Sequence, residues 1–258
     1  MYWIKKNLPK IVISPSFALL AWFVYGFILW TAYISFTKSK ILPKYDLWGV
    51  GQYFRLWSMD RWHTSVSNLF IYTVLFLTLC IVIGVILAVL LDQKIRGEGV
   101  LRTIYLYPMA LSFIVTGTAW KWVMNPTMGI EKFFIDIGFV NFTFDWLVTS
   151  GMSIYCVVIA GVWQSSVFIM AIFLAGLRSI DDEIIKAAKI DGAGIFSIYA
   201  KIVLPMMRPV FMSAIVILIH LSIKSYDLII ALTAGGPGTS SDMPAIFMTQ
   251  YAFNRSEI

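Results

Sequence analysis

The sequence is poor in charge for its length. Asp, Glu, Lys and Arg make up 13% of the 258 residues, whereas 59% are hydrophobic. An ordinary soluble domain has about twice that charged share, and a soluble chain this apolar would leave too much apolar surface in water. This excludes an ordinary soluble enzyme, a disordered chain and a nucleic-acid-binding module. The net charge of +6 therefore does not indicate a nucleic-acid partner.

Residues that hold metals or carry covalent chemistry are also scarce. The two cysteines, Cys80 and Cys156, lie in separate apolar runs without CxxC spacing, which predicts reduced core residues. The two histidines cannot form a bis-histidine haem site on one helix, and we expect His220 to pack in the core. No metal-ligand cluster and no GxxxxGK[ST] phosphate loop occurs in the sequence. We therefore expect no metal site, no cofactor and no enzymatic activity in this chain.

Long uncharged runs stand in place of these features. A helix that crosses a bilayer needs about 20 apolar residues, and the first run is too long for the core of a signal peptide. The predicted fold is an all-α polytopic membrane domain over residues 1–258, with spans at about 12–36, 66–91, 103–123, 152–177 and 209–232. The apolar stretch Met243–Asn254 is too short to cross. A sixth apolar stretch thus begins after five complete spans but does not cross, so we expect that a C-terminal helix is missing.

The distribution of Lys and Arg predicts the orientation. Basic residues such as Lys5, Lys6 and Lys10 precede the first span, and positive charge favours the cytoplasmic side of a membrane. More basic residues fall on that side if the N-terminus is cytoplasmic, although the first outer loop is also basic. This orientation places the loop 178–208 in the cytoplasm.

The loop 178–208 has the pattern of two short amphipathic helices joined at Gly192. Ser179, three residues before Asp182, predicts a helix N-cap, and apolar residues recur at helical spacing on both sides of Gly192. Pro205 is expected to end the second helix. The apolar faces can lie on lipid or on the protein's own bundle, or they can dock into a groove on a soluble partner. The pattern alone leaves both interpretations open.

This loop resembles the cytoplasmic signature of the inner-membrane permease subunits of binding-protein-dependent ABC importers. That signature reads Glu-Ala-Ala, three residues, Gly, nine residues, then Ile-x-Leu-Pro. Its matching positions here are Ala187, Ala188, Gly192, Ile202, Leu204 and Pro205, with Lys186 in place of the usual Glu. The resemblance implies a fold of the type I importer class and a contact with an ATPase. The implied contact residues are Asp182, Glu183, Lys186, Ala187, Ala188, Asp191, Gly192, Ala193, Leu204 and Pro205.

Two more segments resemble the carbohydrate-uptake branch of this family, in particular the maltose-type half of the permease pair. They are Tyr226–Pro237, which ends in a Gly-Gly-Pro turn, and Trp163–Arg178. The resemblance extends from about Lys10 onward. It is greatest to glucose/mannose-type permeases, through Arg102–Ala110 and Phe144–Trp146.

Polar residues inside the spans are the candidate sugar ligands. Gly161, Gln164, Ser165 and Phe168 form a mixed polar and aromatic face at helical spacing. Lys224 and Asp227 interrupt the fifth span, and charges there are costly unless paired or functional. The resemblance implies that the first four residues, together with Thr116, Lys224, Ser225 and Tyr226, line a sugar cavity. Small-residue helix packing at Gly161 and Ser165, and a Lys224–Asp227 ion pair, remain open alternatives.

The resemblance also implies partners and a location. The expected partners are a second permease subunit, a dimer of ATPase subunits that binds ATP and Mg²⁺, a periplasmic sugar-binding protein, and membrane lipid. The expected location is the bacterial inner membrane, with a cytoplasmic N-terminus. The favoured substrate is a monosaccharide such as glucose or mannose, and a disaccharide or glycerol phosphate is the alternative. Other function classes are an ion-coupled secondary transporter, which would need acidic residues deep in several spans, and a membrane-bound enzyme.

Overall fold

The computed structural model describes residues 2–39, 43–93 and 98–254. Within these ranges the regular structure is helical apart from one isolated antiparallel bridge between Thr37 and Leu47. The predicted all-α class is therefore confirmed. The chain divides into two compact units, Met1–Trp62 with Thr249–Ile258, and His63–Met248. The prediction of one domain over residues 1–258 stays a prediction.

The first unit contains the longest helix of the chain. Helix α1 covers Tyr2–Ser35, and α2 covers Gly51–Trp57. The part of α1 from Val12 to Ser35 is long and apolar enough to cross a membrane, as the sequence predicts. Ser35 and Tyr53 join the two helices through their hydroxyl oxygens, 2.7 Å apart. A π-helical turn at Gln250–Asn254 also belongs to this unit.

The second unit is built around one buried helix. Its helices are α3 (Asp60–Asp92, which begins in the first unit), α4 (Glu98–Leu106), α5 (Phe113–Val123), α6 (Ile130–Asp136), α7 (Ser153–Arg178), α8 (Asp182–Ile190), α9 (Ile195–Ile198), α10 (Leu204–Met206), α11 (Arg208–Ile223), α12 (Asp227–Leu232) and α13 (Pro244–Thr249). Side chains are buried on all sides of α7, whereas α3 buries one stripe that recurs about every four residues from Ser65 to Leu91. Cys80 and Cys156 are free thiols in this core, as predicted.

Glycines allow these helices to approach one another closely. A Cβ atom added to Gly84 of α3 would lie 2.8 Å from Cγ2 of Ile169 in α7, and one added to Gly176 of α7 would lie 2.9 Å from Cγ2 of Val210 in α11. Transmembrane helices associate through such small residues because lipid supplies little hydrophobic driving force.

Two of the predicted spans are not single helices. The run 103–123 is broken into α4, a 3₁₀ turn at Tyr107–Ala110, and α5, whose N-cap is Ser112. Pro108 lies in that turn and explains the break, because proline cannot continue the hydrogen-bond ladder of an α-helix. The run 209–232 is interrupted between Ile223 and Asp227. Three helices in the described ranges are long and apolar enough to cross, and a fourth if Ile195–Met206 and Arg208–Ile223 form one bent span.

Candidate functional site

The loop 178–208 begins with a helix N-cap that differs from the predicted one. The Oδ1 atom of Asp181 accepts a hydrogen bond from the backbone N–H of Glu183 at 2.9 Å, so Asp181 caps α8. Ser179 instead donates its hydroxyl to the carbonyl of Gly176 at 2.7 Å and closes the end of α7. The prediction of Ser179 as the cap is wrong because α7 continues to Arg178 and leaves Ser179 in its last turn.

The end of α8 has the geometry of a Schellman motif. Gly192 has a φ of +79°, its N–H donates to Lys189, and the N–H of Ala193 donates to the carbonyl of Ala188 at 3.0 Å. This left-handed conformation favours glycine because other L-residues place Cβ too close to the backbone. The chain therefore turns sharply at Gly192, as the sequence predicts.

The second half of the loop continues through Pro205. Helix α9 passes into a π-helical segment at Tyr199–Val203 and then into α10, which contains Pro205 and ends at Met206. The expectation that Pro205 ends this helix is wrong. The N–H of Leu204 donates five residues back to Tyr199, so the helix is widened at the point where proline would otherwise clash. The chain bends by 66° before α11.

The apolar residues of the loop face two ways. Ala188, Ile198 and Val203 are buried in the core of the second unit, so one face packs against the protein's own bundle. After Gly192 the helical spacing of the sequence would place Ile195 on this face, but Ile195 is exposed and Ile198 is buried instead. At the turn, Ile190 and Phe196 expose 86% and 85% of their surface. The loop thus presents an uncovered apolar tip on either side of Gly192.

The predicted ATPase-contact residues surround this tip. Asp182, Glu183, Lys186, Ala187, Asp191 and Gly192 are exposed, Ala193, Leu204 and Pro205 are half-buried, and Ala188 is buried. The exposed members offer acidic, basic and apolar groups together, which suits docking on a protein surface. Their contact with an ATPase stays a prediction.

The predicted sugar-facing residues of α7 lie in packed surroundings. A Cβ atom on Gly161 would lie 2.6 Å from the hydroxyl oxygen of Tyr72 in α3 and 3.4 Å from Cδ2 of Leu228 in α12. Gly161 therefore lets α7 approach α3 and α12 closely, which favours the helix-packing interpretation of this glycine.

Gln164 and Thr116 carry buried polar atoms without a partner. The Nε2 atom of Gln164 donates to the carbonyl of Leu111 at 2.6 Å, which ties α7 to the break before α5. Its Oε1 atom and the Oγ1 atom of Thr116 have no hydrogen-bond partner among the residues that the structure describes. Ser165 is buried and Phe168 is half-buried. A sugar can reach these buried polar groups only if the helices around them move apart. Their role in binding sugar stays a prediction.

The break between α11 and α12 exposes a basic residue. Lys224 ends α11, Asp227 begins α12, and both side chains are exposed. Neither makes an ion pair within the described part of the chain, so the predicted alternative of a Lys224–Asp227 pair is not observed. Tyr226 is half-buried. His220 is exposed, and its predicted core position is wrong because it lies in the last turn of α11, away from the stripe that packs inward.

Trp163 is a candidate that the sequence pattern did not single out. It is the large apolar side chain of α7 that stays exposed, at 40%, and its ring meets Trp120 of α5 edge-on at a centroid distance of 5.9 Å. Aromatic faces stack against the C–H surface of sugars, and a tryptophan has both an apolar face and an N–H donor. A tryptophan next to polar residues inside a span, as in Trp163–Ser166, is the sequence feature that could have identified it. Helical periodicity selects the neighbouring polar residues instead.

The Gly-Gly-Pro segment forms a braced turn. Nδ2 of Asn68 in α3 donates to the carbonyls of Thr239 and Asp242 at 3.2 and 2.9 Å, and the hydroxyls of Thr233 and Ser241 lie 2.7 Å apart. The predicted turn at Gly235–Pro237 is confirmed by the hydrogen bond from the N–H of Gly236 to the carbonyl of Thr233 at 3.0 Å, and Asn68 ties the residues that follow it to the N-terminal part of α3. Within the described ranges, no three His, Cys, Asp or Glu side chains group as metal ligands.

Comparison with protein families places most of the chain in one group. Residues 80–255 match the model of the binding-protein-dependent transport system inner membrane component. A probable ABC transporter permease protein of Pyrococcus horikoshii is 39% identical over 97% of this chain and 87% of its own length.

Several relatives are named for the sugars that they transport. The xylose/arabinose import permease of Haloferax volcanii is 35% identical over 93% of this chain and 77% of its own length. The trehalose/maltose transport system permease of Thermococcus litoralis is 28% identical over 95% and 83%, respectively. A chain in the crystal structure of a bacterial ABC transporter involved in the import of alginate superposes with a TM-score of 0.81 at 18% identity. That match covers 98% of this chain and 87% of the other and supports the importer permease fold.

Proposed function

The chain belongs to the family of binding-protein-dependent transport system inner membrane components, and from this we propose that it forms half of the translocation pathway of an ATP-driven sugar importer. It is a permease subunit of the ABC class. The observation that carries the proposal is the loop tip, where Gly192 turns the chain between the exposed Ile190 and Phe196. An apolar tip of this kind beside acidic side chains is suited to insertion into a groove of a soluble partner.

The proposed partner at this tip is a dimer of ATPase subunits. ATP and Mg²⁺ are bound by that dimer, and this chain contributes no catalytic residue. Closure of the dimer moves α8 and the segment that follows Gly192, and the spans then alternate between inward-facing and outward-facing states. ATP drives this change only if the closed dimer binds one of the two states better. Lys186 occupies the position of the usual Glu, so the ionic contacts with the ATPase are carried by Asp182 and Glu183.

The other proposed partners are a second permease subunit and a periplasmic sugar-binding protein. Support for the latter comes from the bacterial alginate transporter, whose structure contains an alginate-bound periplasmic protein. The permease is placed in the cytoplasmic membrane of a bacterium with its N-terminus inside, an orientation that rests on the distribution of Lys and Arg.

The proposed substrate is a monosaccharide such as glucose or mannose. The relatives include permeases for a pentose pair and for a disaccharide pair, so sugars of different sizes are handled within the family. The sugar would stack on Trp163 and Trp120 and would receive hydrogen bonds from Lys224 and Tyr226. When the buried helices move apart, further polar residues would join this site, namely Gln164, Ser165, Ser225 and Thr116.

A reconstituted complex tests the function. We expect the chain, its partner permease, the ATPase and the binding protein in proteoliposomes to take up glucose or mannose in an ATP-dependent manner, with ATPase activity stimulated by liganded binding protein. Uptake that follows an ion gradient without ATP would contradict the proposal and favour a secondary transporter.

Substitution of Trp163 by Ala is expected to slow sugar transport. An aromatic contact of this kind is worth about 1 kcal/mol, so we expect the uptake rate at saturating liganded binding protein to fall about fivefold. Trp122→Ala is the control, because Trp122 exposes 68% of its surface on α5. Equal uptake by the two variants would remove Trp163 from the pathway.

Substitution of Lys224 by Ala is expected to weaken uptake while the complex still assembles. A hydrogen bond from a charged donor contributes about 1.5–3 kcal/mol, so the uptake rate should fall at least about tenfold. Lys121→Ala, which removes another exposed lysine near a helix end, provides the comparison. Normal uptake by the Lys224 variant would assign this residue a structural role alone.

A further inference from the structure

Side chains link the C-terminal end of α3, at Asp92 and Gln93, to the loop 178–208, which is called the coupling loop below. Nε2 of Gln93 donates a hydrogen bond to the hydroxyl of Tyr199 at 3.3 Å. Tyr199 opens the π-helical segment of the loop. Beside this pair, Oδ1 of Asp92 lies 3.8 Å from Nε of Arg178, the last residue of α7. The ends of α3 and α7 and the second half of the loop therefore meet at one point.

Beneath this point, α3 and the loop are separated by an apolar groove of about 300 Å³. Val85 and Val89 line it from α3, and Ile195, Phe196 and Leu204 line it from the loop. Gln93 and Tyr199 also border the groove. At the edge of this unfilled space, the hydrogen bond from Gln93 to Tyr199 joins α3 directly to the loop.

The hydroxyl of Tyr199 stays protonated at neutral pH. Burial is the main cause that raises its pKa, and the carboxylate of Asp92 raises it further, whereas the bond from Gln93 lowers it. The oxygen of a neutral tyrosine hydroxyl can accept a hydrogen bond as well as donate one, so this form is compatible with the bond from Gln93.

We propose that Tyr199 is a positioning residue that fastens the coupling loop to the end of α3, so that a movement imposed on the loop also carries α3. The loop is joined through the backbone to α7 and α11, but not to α3. Without the Tyr199 contact, a movement of the loop reaches α3 only through the packing of α3 against α7. The loop can then shift into the open groove without moving α3 to the same extent. This inference rests on the proposed role of the loop in docking an ATPase.

The substitution Tyr199→Phe tests the proposal, because it keeps the ring and removes the hydroxyl. In the reconstituted complex we expect the ATP hydrolysed per sugar transported to rise about fivefold, the effect of losing one hydrogen bond. Complex assembly and the maximal ATPase rate should not change. Tyr105→Phe is the matched control, since the exposed Tyr105 hydroxyl has no hydrogen bond recorded within the described ranges.

Gln93→Leu removes the other partner and should raise the same ratio by a similar factor. If the two side chains act through one bond, the double variant should show no further increase. An unchanged ratio in both single variants would overturn the inference, and if Tyr199→Phe fails to assemble, the Gln93→Leu ratio decides. A wild-type complex without sugar-stimulated ATPase activity would instead overturn the proposed function itself.

Discussion

Substitution of Gly192 by Val is expected to abolish coupling between ATP hydrolysis and sugar uptake. Gly192 adopts a φ of +79° and supplies one of the two hydrogen bonds that close α8. A β-branched residue in this left-handed region costs about 2 kcal/mol, so the turn that presents Ile190 and Phe196 becomes a minor conformer. We expect sugar uptake to fall at least about thirtyfold, while the purified ATPase subunits retain their own activity.

Two control variants separate backbone strain from loss of the docking surface. Gly192→Asn should keep most of the uptake, because asparagine tolerates the left-handed conformation. Gly194→Val should also be tolerated, since Gly194 has a φ of −67° and a ψ of 154°, and no atom lies within 4 Å of an added Cβ. Normal coupling in Gly192→Val, or equal losses in all three variants, would contradict a role for the turn geometry.

The features that the sequence predicted well are local. The reversal at Gly192 follows from a helical apolar pattern that stops at a Gly-Ala-Gly run, and the Gly-Gly-Pro turn follows from residue types that disfavour regular structure. The long helices at residues 12–35, 60–92 and 153–178 follow from composition, since a run of apolar residues in lipid must satisfy its backbone within the helix.

The features that were missed depend on tertiary packing. Ser179 and Asp181 are both good N-caps, and the choice between them depends on where α7 ends. Pro205 lies inside a helical segment because a π-helical turn precedes it, and no local pattern signals that widening. Trp163 is exposed while Gln164 beside it is buried, a difference that depends on how α5 and α12 pack around α7.

The permease is expected to lose stability when Gly117 is replaced by Ala. Gly117 of α5 faces the backbone of α12. A Cβ atom there would lie 2.7 Å from Cβ of Ala231, 2.8 Å from the carbonyl oxygen of Leu228 and 3.2 Å from the amide nitrogen of Leu232. Rotation of a side chain cannot relieve a clash with backbone, so α5 and α12 must separate. Overpacking of this kind costs about 3 kcal/mol, which should lower the amount of folded permease in detergent and reduce its Tm by several degrees.

The comparison with Gly26→Ala makes this prediction specific to the α5–α12 contact. No atom lies within 4 Å of a Cβ added to Gly26 in α1, and alanine favours a helix over glycine by about 1 kcal/mol. The Gly26 variant should therefore match or exceed the Tm of the wild type, whereas Gly117→Ala gains the same helix propensity and still loses stability. A Gly117 variant as stable as Gly26→Ala would show that α5 and α12 are not in contact through their backbones. In that case the broken span 103–123 would need a different packing partner, and the edge-on contact of Trp120 with Trp163, which depends on the position of α5, would lose its support.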